Sequence, residues 1–170
     1  MGEKSADRSR IARRILPGGP RGLRLDFPAG VRGSRRMDPV HPLLARLRGG
    51  LIVSCQPEAE GRSSDPMNSP AIMAALAQAA VLGGAVGIRA DSPPDIAAVR
   101  AVVQVPVIGI LKRDVPGYSV RITPTLEDAR QVASAGADIV ALDATARGRP
   151  GGVSAETLIR AVKEATGLLV

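Results

Sequence analysis

Four short apolar runs, each closed by one polar side chain and separated from the next by a helix-like stretch, constrain this sequence most. They cover residues 51–56, 85–89, 107–112 and 139–143, and they close on Gln56, Arg89, Lys112 and Asp143. Each run is too short for an ordinary helix. Parallel strands covered by helices read as near-continuous apolar runs. Alternating βα units imply a parallel sheet with right-handed crossovers. Ligands of such folds sit at the carboxyl ends of the strands. Four different polar groups at four such ends point to one shared pocket.

The punctuation between the runs is regular. Leu43 to Leu47 reads as a short helix before Gly49-Gly50, and a polar loop follows the first strand from Pro57 to Asn68. Ser69-Pro70 reads as an N-cap and first helical residue. Ile72, Met73, Leu76, Ala79 and Ala80 supply an apolar face, with Gly83 as the C′ residue. Ser92-Pro93 repeats the start signal for a helix near 95–103, and Pro106 opens the third strand, where a missing N–H is tolerated. Thr125 and Ser154 cap two further helices, which Gly136 and Gly167 end. Leu168-Leu169-Val170 begins a fifth strand.

An open doubly wound sheet and a (β/α)8 TIM-type barrel both accommodate this order. No G-x-G-x-x-G follows a strand, which argues against a dinucleotide fold. A polar residue ends every strand rather than gathering at one switch point, which favours the barrel. A complete barrel takes roughly 250 residues. From Met37 the chain has 134 residues, so the expectation is an α/β barrel truncated to four βα units and the start of strand five.

Residues 1–36 carry Lys4, nine Arg and three acids; residues 37–170 carry thirteen charges of each sign. The net charge of +7 thus belongs to the leader, and the remainder gives no electrostatic case for a nucleic-acid partner. The leader is rich in Arg, Gly and Pro without apolar period, so disorder is expected there. A transit peptide and a polyanion-binding arm are two readings. The preferred one takes Met37 as the true start, because composition changes abruptly there. Two aromatics, Phe27 and Tyr118, argue against binding single strands by base stacking. No apolar run spans a membrane. One cysteine excludes an intrachain disulfide and fits a reducing, cytoplasmic setting. The sole His41 precedes the first strand, so a His-based metal site is not expected.

Strand side chains alternate faces. Lys112 shares a face with Ile110 and Ile108, Arg89 with Gly87, Gln56 with Ser54 and Ile52, and Asp143 with Ala141 and Ile139. If those faces point to the barrel axis, the four polar groups form its top layer. Cys55 then faces the helices as a small buried hydrophobe. Bland readings stand beside these. Lys112 could be a solvated charge, Arg89 a structural partner of Asp143, and Gln56 a loop hydrogen-bonder. Arg113, Arg147 and Arg149 read as solvated rim charges, with Arg147 also a candidate phosphate contact.

The segments GGLIVSCQ, GGAVGIRA, VPVIGILKRD, ITPT and AGADIVALDATARGRP, in that order, resemble the N-terminal half of bacterial N-acetylmannosamine-6-phosphate 2-epimerases. The resemblance runs from about Leu43 to Val170. It implies a (β/α)8 barrel, a phosphorylated amino-sugar substrate of sialic-acid catabolism, and neither metal nor cofactor. By resemblance, Lys112 is the catalytic lysine and Gln56, Arg89 and Asp143 are substrate-binding groups. Epimerisation beside a masked aldehyde removes a weakly acidic proton and returns it on the other face. A lysine amine does this when its pKa is depressed toward neutrality, and a neighbouring cation such as Arg89 would favour that and stabilise enolate charge. The resemblance assigns a catalytic glutamate to the family's second half, and barrel enzymes bind phosphate after strands seven and eight. Little activity is therefore expected of the chain alone. Two other readings are a non-catalytic half-barrel assembly module and another phosphosugar barrel enzyme. Open strand edges, with Ile52, Ile108, Ile110 and Ile139 exposed on the inward face, would promote self-association.

Overall fold

Strand and helix alternate as the apolar pattern requires. The computed structural model describes residues 41–57 and 64–170. The expectations for residues 1–36 and for the Met37 boundary lie outside them. In chain order the elements are α1 (Pro42–Leu47), β1 (Ile52–Cys55), α2 (Pro70–Leu82), β2 (Gly87–Asp91), α3 (Pro93–Val102), β3 (Val107–Ile110), α4 (Leu126–Ser134), β4 (Ile139–Val140) and α5 (Ala155–Thr166). The strands form one parallel sheet in the order β1-β2-β3-β4. Leu169 bridges Ile139 in parallel, which begins the fifth position of the sheet. Sequential parallel neighbours joined by helices are the (β/α)8-barrel pattern.

The helix signals fall where they were read, but Ser69 and Ser92 make no side-chain cap bond, and their helices start on the proline that follows. Thr125 and Asp128 form a reciprocal capping box on α4. Ser154 accepts the Thr157 N–H at the start of α5, and Gly167 ends α5 in the left-handed conformation. On α2 the left-handed residue is Gly84 (φ +98°) rather than Gly83, which is the helical C-cap residue. The buried face of α2 also differs from expectation: Met73 and Ala77 are buried while Leu76 is 40% exposed. This helix is apolar almost all round, so hydrophobicity alone cannot choose its inner side.

The helix-side core contains Cys55, Ile88, Ile96, Val99, Val132 and Val140. Gly109 permits α3 and α4 to approach β3, since a side chain there would meet Ile96, Val132 and Ala137. The opposite face of the sheet is more covered than expected. Ile52 is 40% exposed, but Ile110 is fully buried and Ile139 nearly so. Both lie outside the helix-side cluster, as does the buried Val120. Residues 121–123 return along the end of β3. That tertiary cover is not written in the alternation of the strand itself.

Candidate active site

The sequence placed one polar residue at each strand end, and the register assigns them different heights. Ser54, Arg89, Ile108 and Ile139 form one row across the sheet. Asp91 aligns with Ile110 in the next row on that face. Lys112 lies four residues beyond Ile108, about 13 Å of extended chain above the Arg89 row. The four predicted residues therefore do not share one layer. β2 continues two residues past Arg89, and its terminal polar residue is Asp91.

Gln56 and Lys112 come together. Lys112 Nζ donates to Gln56 Oε1 at 2.6 Å, and Gln56 Nε2 donates to Ser54 Oγ at 2.6 Å. This chain crosses from β1 to the end of β3, over the end of β2. Below it, the Lys112 N–H donates to Asp91 Oδ1 at 2.9 Å. Asp91 is fully buried. Sequence reasoning passed over it, because an acid before Ser-Pro-Pro looks like the start of a loop.

A further unannounced feature separates Lys112 from Asp143. Residues 121–123 insert between the ends of β3 and β4. Ile122 bridges Lys112 in antiparallel fashion, and the Asp143 N–H donates to Ile122 O at 3.0 Å. Thr123 Oγ1 donates to Ala141 O at 2.7 Å. The splayed strand ends leave a pocket of about 370 Å³ lined by Lys112, Ser119, Arg121, Ile122, Asp143 and Arg147. Asp143 is not the ion-pair partner of Arg89 among the described residues. Its carboxylate turns into its own loop, accepting the Thr145 N–H at 2.9 Å. Hydrogen bonds from Thr145, side chain first and then backbone, and the nearby Arg147 and Arg149 hold its pKa below the usual 3.8.

The three rim arginines have three environments. Arg147 is exposed and lines the pocket. Arg113 makes two bonds to the buried carboxylate of Asp128, at 2.7 and 3.1 Å. Arg149 is not solvated: it is 1% exposed and donates to the carbonyls of Asp143 and Thr145, at 2.9 Å each. A guanidinium satisfies several inward-pointing carbonyls of a tight loop at once, a demand invisible in linear sequence. Cys55 is buried in the helix-side core, and desolvation raises its thiol pKa. This is the small-hydrophobe role read for it.

Parallel βα units with polar groups gathered over the strand carboxyl ends define an enzyme scaffold of the (β/α)8-barrel class. The family described as "Putative N-acetylmannosamine-6-phosphate epimerase" matches residues 73–170. The chain belongs to that family. It is 50% identical over 125 residues to a relative from Pasteurella multocida, covering 73% of this chain and 52% of the relative. It is 56% identical over 108 residues to one from Thermosynechococcus vestitus, covering 64% and 46%. Both carry the name "Putative N-acetylmannosamine-6-phosphate 2-epimerase". The solved N-acetylmannosamine-6-phosphate 2-epimerase from Clostridium perfringens superposes with a TM-score of 0.69 at 36% identity. That match covers 81% of this chain and 57% of the other. The chain spans about half the length of the curated relatives it matches. No helix among the described residues is long and apolar enough to cross a membrane.

Proposed function

We propose that this chain supplies the lysine-bearing part of an N-acetylmannosamine-6-phosphate 2-epimerase, which interconverts N-acetylmannosamine 6-phosphate and N-acetylglucosamine 6-phosphate. The observation that carries the reading is Lys112, held by Gln56 over the sheet face at the strand carboxyl ends. With the substrate as open-chain aldehyde, the C1 carbonyl acidifies the C2 proton. Lys112 as free amine takes that proton, and the C–H electron pair moves toward the carbonyl oxygen as an enolate. Return of a proton to the other face of C2 completes the epimerisation with no net redox change. One acid–base group on each face of the enolate serves this chemistry, and Lys112 is the one this chain provides. Gln56 orients the amine, Arg89 adds positive potential to the sheet face, and Asp143 accepts from sugar hydroxyls. Arg147, on the pocket rim, is a contact for the anionic end of the substrate. Phosphorylated sugars are retained inside cells, which fits a cytoplasmic site of action.

The test joins this chain to the remaining barrel half of the Clostridium perfringens enzyme and follows the sugar by proton NMR in D₂O. The joined barrel should interconvert the two sugars and exchange the C2 proton, while Lys112→Ala should lose about 10²–10⁴-fold in rate. Turnover unchanged by Lys112→Ala removes the lysine from the chemistry. We also infer self-association through the edge strand β1, where Ile52 is 40% and the preceding Leu51 67% exposed. Unpaired apolar strand edges recruit further strands. Sedimentation at micromolar concentration should show a dimer or larger, and a monomer across that range contradicts the inference.

A further inference from the structure

The backbone that carries Lys112 is tied at three consecutive residues. Ile110 O accepts from the Ser92 N–H at 2.9 Å. Leu111 donates its N–H to Thr123 Oγ1 at 3.2 Å, and its carbonyl accepts from the Thr123 N–H at 2.8 Å. The Lys112 N–H donates to Asp91 Oδ1 at 2.9 Å. Two of the clamping residues hold backbone conformations unfavourable for residues with side chains, Ser92 at φ +77° and Thr123 at φ +47°. Strain of this kind persists where the surroundings over-determine it, and it clusters at functional sites. The third, Asp91, is a fully buried acid, a group costly to place there without strong hydrogen bonding. A strained serine and a strained threonine thus flank one short peptide, with a buried carboxylate on its amide.

We propose that Asp91 is a positioning residue for Lys112. Its carboxylate fixes the lysine amide, and with it the Cα from which the long side chain reaches Gln56 Oε1. Lys112 sits just past the end of β3, so the sheet ladder does not hold its amide. Asp91 lies at the end of the neighbouring strand, one row below, and its side-chain oxygen replaces the missing ladder acceptor. The lysine chain has four rotatable carbons, so a loosened Cα spreads the amine over a wide arc. A misplacement near 1 Å of a reacting group costs on the order of 10²-fold in rate.

The catalytic consequence rests on the proposed function, whereas the clamp itself is tested on the chain as it stands. Amide hydrogen exchange at Lys112 is compared with that at Val140, whose N–H donates to Leu169 O at 2.9 Å. Asp91→Ala should lower protection at Lys112 relative to Val140 by about tenfold, the size of one ordinary net hydrogen bond. Asp91→Asn retains an oxygen acceptor and should keep protection within about threefold of the parent. In the joined barrel, Asp91→Ala should lower kcat by about 10- to 100-fold with KM little changed, and Asp91→Asn should restore most of it. Equal loss at Lys112 and Val140, unaltered protection in Asp91→Ala, or a change confined to KM each overturns the proposal. If Asp91→Ala does not fold, Asp91→Asn decides: loss of kcat there shows that the charge, not the positioning bond, is needed. An inactive parent barrel overturns the epimerase reading and leaves the exchange measurement to judge the clamp.

Discussion

Replacing Gly109 by alanine should unsettle this fold out of proportion to one methyl group. The added Cβ would stand 2.5 Å from Val132 Cγ1, 2.7 Å from Ala137 Cβ and 3.1 Å from Ile96 Cδ1. Carbon atoms pack comfortably at about 3.5–4.0 Å, so the first two contacts must each open by about 1 Å. None of the three neighbours is a loose end. Ile96 and Val132 are fully buried and Ala137 is 6% exposed. They come from α3, from α4 and from the turn before β4, so relief on one side presses on another. Overpacking of a filled core costs about 1–3 kcal/mol, and clashes from three directions place Gly109→Ala near the top, about 2–3 kcal/mol. With a urea slope of about 1–3 kcal/mol/M, the unfolding midpoint falls by about 0.7–3 M, read by far-ultraviolet circular dichroism. Gly87→Ala is the control. Its new Cβ meets Leu47 Cδ2 at 2.5 Å, the flexible tip of a side chain on α1, a helix with no buried residue. That tip swings aside, and the loss stays below about 1 kcal/mol. Equal midpoint shifts in the two variants, or none for Gly109→Ala, refute the packing account.

Three further outcomes are expected. Arg113→Ala removes two bonds to buried Asp128, but Arg113 is itself 44% exposed, so the loss is about 1–2 kcal/mol; no change in the urea midpoint contradicts it. Asp143 has its folded pKa below the usual 3.8, so its contribution to stability is fully present above the unfolded value and is lost as pH falls through the folded one. Asp143→Asn should therefore flatten the acid limb below about pH 4, and a carboxyl NMR titration midpoint at or above 3.8 refutes the assignment. Cys55, buried and with its thiol pKa raised, should react with an aromatic disulfide reagent only after denaturation. Rapid labelling of the native chain shows that the core around it opens.

Much of the architecture was legible because strand burial on both faces writes itself as uninterrupted apolar sequence. All four runs became neighbouring parallel strands, and the caps at Thr125 and Ser154 formed the predicted bonds. The site was legible as to strand ends but not as to height. Arg89 looked like the end of β2 because it is the first charged residue after the apolar run. Asp91 remains in the strand because a backbone amide from the next unit satisfies its carboxylate. Arg149 looked solvated because a charged residue in a Gly-Pro loop usually is. Its burial depends on carbonyls that face inward only after the loop has formed. The insertion of residues 121–123 has no signature, since ITPT matches neither a helical nor a strand period. Tertiary partners, not local preference, decide each of these cases.

Bonds across units carry a consequence for how such a protein can change over time. Asp91, from the second βα unit, holds Lys112 of the third, and Thr123 of the third holds Ala141 of the fourth. Gln56, from the first, meets Lys112 as well. A single unit is therefore not an interchangeable brick. Crossovers between distant relatives that fall inside helices move whole strand ends but exchange the partners of these bonds. Those that transfer adjacent units together preserve them. Divergence of this sheet is thereby channelled into blocks of neighbouring units, with the helix exteriors free to drift one residue at a time.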